Sequence, residues 1–312
     1  MLKPPLIVIA GPTASGKTSL SLTLCHRLRG EVVAMDSMQV YRYMDIGTAK
    51  PTMEEREGIP HHMLDVTDPK DAYSVAEYAK QAKVCIDDVH QRGKIPILTG
   101  GTGLYLKALT SSMELGGTQG DPVIRKRLSD IAQVENGGEE LYERLQNVDP
   151  ATAQRLHRND IRRIIRALEV YELTGKPISC QQSKEQFECP YTLCILGLFM
   201  ERETLYRRIE TRVDAMMDMG LLAEVENLLH MGVPPEAQSM QGLGYKELIP
   251  VIRDGQPLKQ AVDAIKLGTR HYAKRQMTWF RRTEGIIWLD VHANDCMERA
   301  WDRIQASLNV DN

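Results

Sequence analysis

The amino-acid sequence predicts an α/β fold: a P-loop-containing parallel sheet core flanked by helices, with a helical insertion domain. Three observations predict it. Short apolar runs alternate with helical patterns between residues 6 and 109. A complete phosphate-loop pattern stands between the first run and the first helix. After Ser111 the chain turns helical and highly charged, and strand-like character returns only at Tyr191.

The elements follow in order. Leu6 to Ala10 is short, apolar and bounded by Pro5 and Gly11, as a buried strand is. Ser19 to Arg29 reads as a helix with Leu20, Leu24 and Leu28 on one stripe. Glu31 to Met35 is a second strand, ending at Asp36. Tyr73 to His90 is helical, with Ala76, Ala79, Ala82 and Ile86 on a helical period. Lys94 to Thr99 is a strand that runs into Gly100-Gly101-Thr102-Gly103, and Leu104 to Leu109 starts another helix. Such alternation implies a parallel sheet covered by helices. Gly116, Gly117, Gly120 and Pro122 then form a break. Beyond it, helices are expected at Val123 to Gln133, Glu139 to Gln146, Pro150 to Leu156 and Ile161 to Leu173, within a helical stretch reaching about Gln186. Thr174-Gly175-Lys176-Pro177 stops the last of them. Tyr191 to Phe199 is a strand. Arg202 to Met219, Leu221 to His230 and Leu258 to Trp279 are long helices, and Ile286 to Leu289 is a closing strand. The expected organisation is a core at 1–120, a helical insertion at 121–190, and the core resumed at 191–312.

Composition excludes several classes. Lys plus Arg is 39 and Asp plus Glu is 42 in 312 residues, a net charge of −3. The chain is therefore not basic overall, although the sum says nothing about local basic faces. Charged residues make up 26%, too few for a disordered polyelectrolyte. Six cysteines without a C-x-x-C are too sparse for a disulfide scaffold or a zinc finger. The run Leu6 to Ala10 is far too short to span a membrane. A soluble cytoplasmic protein with no membrane partner is expected.

The motif Gly11-Pro12-Thr13-Ala14-Ser15-Gly16-Lys17-Thr18 matches G-x-x-x-x-G-K-[ST] in full. Its glycines allow a tight backbone wrap, so that successive N–H groups face a phosphate at a helix N-terminus. Lys17 would reach the outer phosphate and Thr18 would ligate Mg²⁺. The loop specifies a phosphorylated ligand; a nucleotide or another diphosphate would satisfy the same donors. Asp36-Ser37 follows the second strand, and ligands of parallel sheets bind beyond the carboxyl ends of strands. Asp36 is thus a candidate general base or water-mediated metal ligand, against the alternative of a turn cap. Thr102, at the end of another strand, is a candidate to touch the phosphates or the acceptor. His61 and His62, with Asp65, suit packing or hydrogen bonding better than zinc.

Positive charge is concentrated in two stretches. Arg155, Arg158, Arg162, Arg163 and Arg166 stand against one acid, Asp160. Lys266, Arg270, Lys274, Arg275, Arg281 and Arg282 stand against none between Ala264 and Thr283, with Trp279 and Phe280 at the end. Such stripes suit a phosphate backbone with an aromatic near a splayed base. Alternatively they are solvated faces, or Lys266, Arg270 and Lys274 bend inward as phosphate clamps.

Taken together, the segments GPTASGKT at 11–18, DSMQVYRYMDIGTAKP at 36–51, HHMLD at 61–65, GGTGLY at 100–105, HRNDIRRIIRALEV at 157–170, GLGYKEL at 242–248 and TRHYAKRQMTWFR at 269–281 resemble the tRNA dimethylallyltransferase family, of bacterial type. The resemblance implies transfer of a dimethylallyl group from dimethylallyl diphosphate to N6 of adenosine 37 in tRNAs reading codons that begin with U, giving i6A. It implies that the diphosphate sits in the 11–18 loop with Mg²⁺, and that Asp36 is the base and Thr102 its partner in the reaction channel. It implies diphosphate binding by Arg212. It further implies tRNA contacts at Asp36, Ser37, Met38, Gln39, Thr102, Arg125, Asn159, Asp160, Ile161, Arg162, Arg163, Gln241, Gly242, Leu243, Gly244 and Tyr245, with the insertion gripping the anticodon stem of a tRNA bound by a monomer. The competing readings are a small-molecule kinase, which leaves the basic stripes and the insertion unexplained, and a non-catalytic RNA-binding protein.

Overall fold

The computed structural model describes residues 3–111, 120–181 and 189–308. Gly116, Gly117 and the end of the helical stretch toward Gln186 lie outside them. The chain divides into two compact units: Met1–Thr110 with Cys189–Asn312, and Ser111–Glu188.

The first unit holds a six-stranded parallel sheet of β1 (Pro5–Ala10), β2 (Glu31–Met35), β3 (His61–His62), β4 (Pro96–Gly100), β5 (Thr192–Phe199) and β6 (Ile286–Asp290). The strand order is β3-β2-β4-β1-β5-β6. Alternate residues of β1 serve two cores. Leu6, Val8 and Ala10 pack with Val33, Met35 and Leu98 on one face. Ile7 and Ile9 pack with Val32, Ile97 and Leu196 on the other. Because both faces are covered, β1 and β2 read as continuous apolar runs rather than alternating ones.

Register brings the site together. Ala10 lies beside Gly100, and Gly100 beside Met35. Gly11, Gly101 and Asp36 therefore leave three neighbouring strands at the same edge, where parallel sheets bind ligands. Gly100 is required there, since a Cβ would lie 1.9 Å from the Met35 carbonyl oxygen.

Helices α1 (Lys17–Leu28), α2 (Val75–Gln91) and α3 (Gly103–Thr110) link the first strands. The second unit contains α4 (Pro122–Gln133), α5 (Gly137–Val148), α6 (Pro150–Arg155) and α7 (Ile161–Thr174) around Leu128, Leu141, Leu145, Ile164 and Leu168. Asp121 caps α4 by accepting from the Val123 and Ile124 N–H groups, with Pro122 preset in the first turn. Gly175, at φ 68°, ends α7 in the left-handed region. The first unit resumes with α8 (Arg202–Asp218), α9 (Leu221–His230), α10 (Tyr245–Asp254), α11 (Leu258–Phe280) and α12 (Cys296–Leu308). No helix among the described residues is long and apolar enough to cross a membrane.

Three elements were not foreseen. The strand β3 is two residues long, too short for any period to register. Its histidines are structural: His62 Nε2 lies 2.7 Å from Glu31 Oε2, and His61 Nδ1 lies 2.9 Å from the Ile59 carbonyl. Pro250 lies inside α10, where proline normally argues against a helix. In α12 the apolar face is narrow, resting on Ala300, Trp301 and Ile304.

Candidate active site

The phosphate loop wraps as its glycines require. Gly16 caps α1 at φ 88°, and no side chain among the described residues makes a capping hydrogen bond there. The first-turn N–H groups and the positive end of the helix are left for an anion. Gly11 passes so close to β5 that a Cβ would lie 2.9 Å from the Leu198 carbonyl oxygen. Ala14 takes φ 64° without being glycine, held by burial among Met200, Leu205, Ile209 and Ala273. Ser15 Oγ is buried and has no hydrogen-bond partner among the described residues. Lys17 Nζ donates to the Pro12 carbonyl at 2.7 Å. Burial, and then the charge of Arg212, lower the Lys17 ammonium to about 8, while Asp36 opposes them. Desolvation and neighbouring Arg208 likewise lower the Arg212 pKa. Thr18, which is exposed, and Arg212 line a cavity of about 730 Å³ that also reaches Lys50, Glu55 and Met216.

Asp36 stands one residue past β2. Its Oδ1 accepts from the Met38 N–H at 2.8 Å and the Gln39 N–H at 3.4 Å. No hydrogen bond engages Oδ2 among the described residues. Both readings of Asp36 therefore hold at once: one oxygen caps the turn and the other is available for chemistry. Thr102 Oγ1 accepts from the Ser37 N–H at 3.1 Å, and the Thr102 N–H donates to the Met35 carbonyl at 3.2 Å.

One face of α11 closes over this edge. Gln276 is buried; its Oε1 accepts from the Thr13 N–H at 2.9 Å and its Nε2 donates to the Gly101 carbonyl at 3.0 Å. One side chain thus ties the phosphate loop to the Gly-rich turn. Tyr272, one turn earlier, has its phenol pushed up to about 12 by burial and the Asp36 charge, with Thr102, Arg275 and Gln276 acting in the opposite direction. The ring of Trp279 lies where a Gly103 Cβ would be, at 2.0 Å.

The segment 36–51 is pinned from several sides. The buried Lys50 donates to the Tyr41 carbonyl at 2.8 Å and pairs with Asp45 at 2.6 Å and Asp65 at 2.5 Å. Gln39 Nε2 donates to the Thr48 and Ala49 carbonyls at 3.0 and 3.1 Å. Met38 packs so closely on Gly242 that a Cβ there would lie 2.4 Å from its methyl.

The remaining RNA-contact expectations fall in distinct settings. Gln241 Nε2 donates to the Pro235 carbonyl at 2.9 Å. Gly244 caps α10 at φ 96°, its N–H donating to Glu247. Leu243 is half-buried against Gly268. The Tyr245 ring is buried, with its hydroxyl 2.6 Å from Glu224 Oε1, so it shapes the Gly47 turn and offers no face to RNA. In the second unit, Asp160 caps α7 and pairs with Arg163 at 3.2 Å. Asn159 and Arg162 are exposed beside the half-buried Ile161, and Arg162 has no ion pair among the described residues. Arg125 is drawn to the buried carboxylate of Glu169, at 2.9 Å. Of the three α11 residues with inward clamping as an alternative, two are engaged otherwise: Lys266 pairs with Asp214 at 2.6 Å and Arg270 with Glu210 at 2.7 Å, both on α8, and Lys274 is exposed.

Residues 39–283, well over half of the chain, match the IPP transferase family. The chain belongs to that family. It is 51% identical over 289 residues to the tRNA dimethylallyltransferase of Pelotomaculum thermopropionicum, covering 93% of this chain and 91% of that one. It is 47% identical to that of Carboxydothermus hydrogenoformans, covering 98% of each. Among solved structures, the tRNA isopentenylpyrophosphate transferase of Bacillus halodurans superposes with a TM-score of 0.72 at 40% identity, covering 98% of this chain and 99% of that chain. A eukaryotic dimethylallyltransferase acting on tRNA gives a TM-score of 0.77 at 33% identity, covering 92% of this chain and 74% of that chain.

Within this IPP transferase, sequence reasoning missed Tyr272, Gln276 and Glu224. The first two had a signal. Tyr272, Gln276 and Trp279 recur at i, i+4 and i+7 on one face of α11, beside the basic stripe that drew attention instead. Glu224 had none, because an acid on an amphipathic helix reads as solvated surface.

Proposed function

We propose that the chain transfers a dimethylallyl group from dimethylallyl diphosphate to N6 of adenosine 37 in tRNAs reading codons that begin with U. The observation that carries the reading is the shared sheet edge, where register sets the phosphate loop beside an aspartate with one free oxygen. The N–H groups at the start of α1, with Lys17 and Arg212, bind and neutralise the diphosphate. The allylic C–O bond breaks, diphosphate leaves with the electron pair, and a C–N bond forms to N6. Asp36 Oδ2 takes the N6 proton, which matters because that amine's lone pair is delocalised into the purine. Asp36 is held in place by its turn and by Ser37 and Thr102.

The Thr18 hydroxyl fits Mg²⁺, a hard cation that takes one or two protein oxygens and completes its shell with phosphate and water. When bound, it supplies charge neutralisation to the leaving diphosphate. The proposed acting unit is a monomer. Arg125 and the segment Asn159 to Arg163, in the second unit, serve the anticodon stem, and the segments Asp36 to Gln39 and Gln241 to Gly244 serve the loop. The reaction belongs in the cytoplasm, where its tRNA acceptor is.

The test is incubation with dimethylallyl diphosphate, Mg²⁺ and unmodified tRNA, followed by base-resolved mapping. The expected product is i6A at position 37 alone. ATP turnover with a small acceptor, and no prenyl transfer, would overturn the reading.

A further inference from the structure

We infer that Glu224 is a positioning residue that sets the orientation of the Gln39 amide, so that Gln39 offers an acceptor oxygen to an N–H donor of the RNA base. The inference rests on the RNA acceptor proposed above.

Glu224 lies in the first turn of α9, and its carboxylate receives four donors. Oε2 accepts from the Asp45 N–H at 2.9 Å and the Ile46 N–H at 2.7 Å. Oε1 accepts from the Gly47 N–H at 3.1 Å and the Tyr245 hydroxyl at 2.6 Å. Three successive backbone N–H groups converging on one anion form a concavity that neutral side chains cannot fill equally well. Tyr245 presses the turn from the side: a Cβ on Gly47 would lie 2.6 Å from its ring. The turn is thus fixed by one charge and one ring.

The next two residues carry the effect to the site. The carbonyls of Thr48 and Ala49 both accept from Gln39 Nε2. An amide oxygen in that position would face two other oxygens, so the two carbonyls decide which end of the amide points where. That leaves the Oε1 end, which no hydrogen bond engages among the described residues. Gln39 is half-buried, and its own N–H is held by Asp36 Oδ1. The acceptor oxygen therefore sits on the same short turn as the proposed base. The chemistry that fits it is the amino N–H of a nucleobase. The hydrogen bonds from carboxylate to turn to amide include none to residues 11–18, although Asp45, Ile46 and Ala49 also line the cavity of Thr18 and Arg212.

The experiment measures steady-state prenyl transfer to an unmodified anticodon stem-loop RNA by wild type, Glu224→Gln, Gln39→Met and the double variant, with thermal melts of each. Glu224→Gln sets an amide N–H₂ against the turn's N–H groups. Losing a charge-assisted contact of this kind is expected to raise the KM for RNA roughly tenfold. The KM for dimethylallyl diphosphate should change by less than the KM for RNA, because the turn only lines the cavity of Thr18 and Arg212. The double variant should be no worse than Gln39→Met, since one acts through the other. Glu224→Asp should recover part of the RNA KM. If Glu224→Gln does not fold, Tyr245→Phe, which removes a single donor, should show a smaller RNA-specific effect. An unchanged RNA KM in the folded variants, or effects that multiply in the double variant, would overturn this inference alone. A wild-type chain that transfers no prenyl group overturns the proposed function as well.

Discussion

The two oxygens of Asp36 do different work, and this makes its role testable without disturbing the turn. Asparagine keeps an Oδ1 that can accept from the Met38 and Gln39 N–H groups. Asp36→Asn should therefore fold and bind RNA with a Kd within about twofold, while single-turnover transfer falls by about 10²- to 10⁴-fold, the usual contribution of a positioned base. An undiminished rate would remove Asp36 as the base. Lys17 sets a pH dependence of opposite character. Its ammonium ionises at about 8 before ligand binds, so below that pH it is cationic and above it neutral. The KM for dimethylallyl diphosphate should rise as pH passes upward through that value. Lys17→Arg, which stays charged throughout, should give a flatter profile. Identical profiles for the two proteins would show that the lysine's charge does not govern binding.

At the scale of the element, α11 is the part of the site whose role is least visible in its residue types. Gln276 makes two hydrogen bonds that join β1's loop to β4's turn. In Gln276→Leu both the Thr13 N–H and the Gly101 carbonyl lose their partner in a buried place, at a cost of about 1–3 kcal/mol each. Chemical denaturation should register that loss, and kcat should fall with it because the loop and the turn no longer share a brace. Unaltered stability with unaltered kcat would show that the brace is dispensable. The same element shows what could be read beforehand. The strands β1, β2 and β4, the loop at 11–18, and Asp36 were legible because each carries a local signature: an apolar run, a glycine spacing, a carboxylate at a strand end. The α11 helix itself was legible from its length. Its inward face was not, because Gln276 acquires meaning only when register sets Ala10, Gly100 and Met35 side by side beneath it. For the same reason no local pattern reports the roles of Glu224 and Lys50. Their partners are backbone groups in a loop without periodicity, and no spacing rule reports those.

For the molecule as a whole, a net charge of −3 must be reconciled with a polyanionic acceptor, and the pairing of individual cations does this. Many arginines and lysines of the two basic stretches are neutralised locally. Arg158 pairs with Glu139, Arg163 with Asp160, Arg166 with Glu169, Lys266 with Asp214 and Arg270 with Glu210. Arg162 differs: it is exposed at the start of α7 and has no ion pair among the described residues. A cation of this kind can meet a phosphate without first breaking an internal contact. Its removal should cost the counterion release of about one phosphate. Arg162→Ala is thus expected to weaken tRNA binding at low salt and to lower the slope of log K against log salt by roughly one phosphate's worth, alike for all acceptor tRNAs. Lys266→Ala is the control. Its ammonium is held against α8, so its loss should leave the slope as it was, even if the fold is slightly less stable. Titrations of both variants over the same salt range decide the matter. Equal slopes for Arg162→Ala and wild type would mean that the start of α7 does not meet the RNA backbone. A lowered slope for Lys266→Ala would mean that the α8–α11 pairs open when RNA binds.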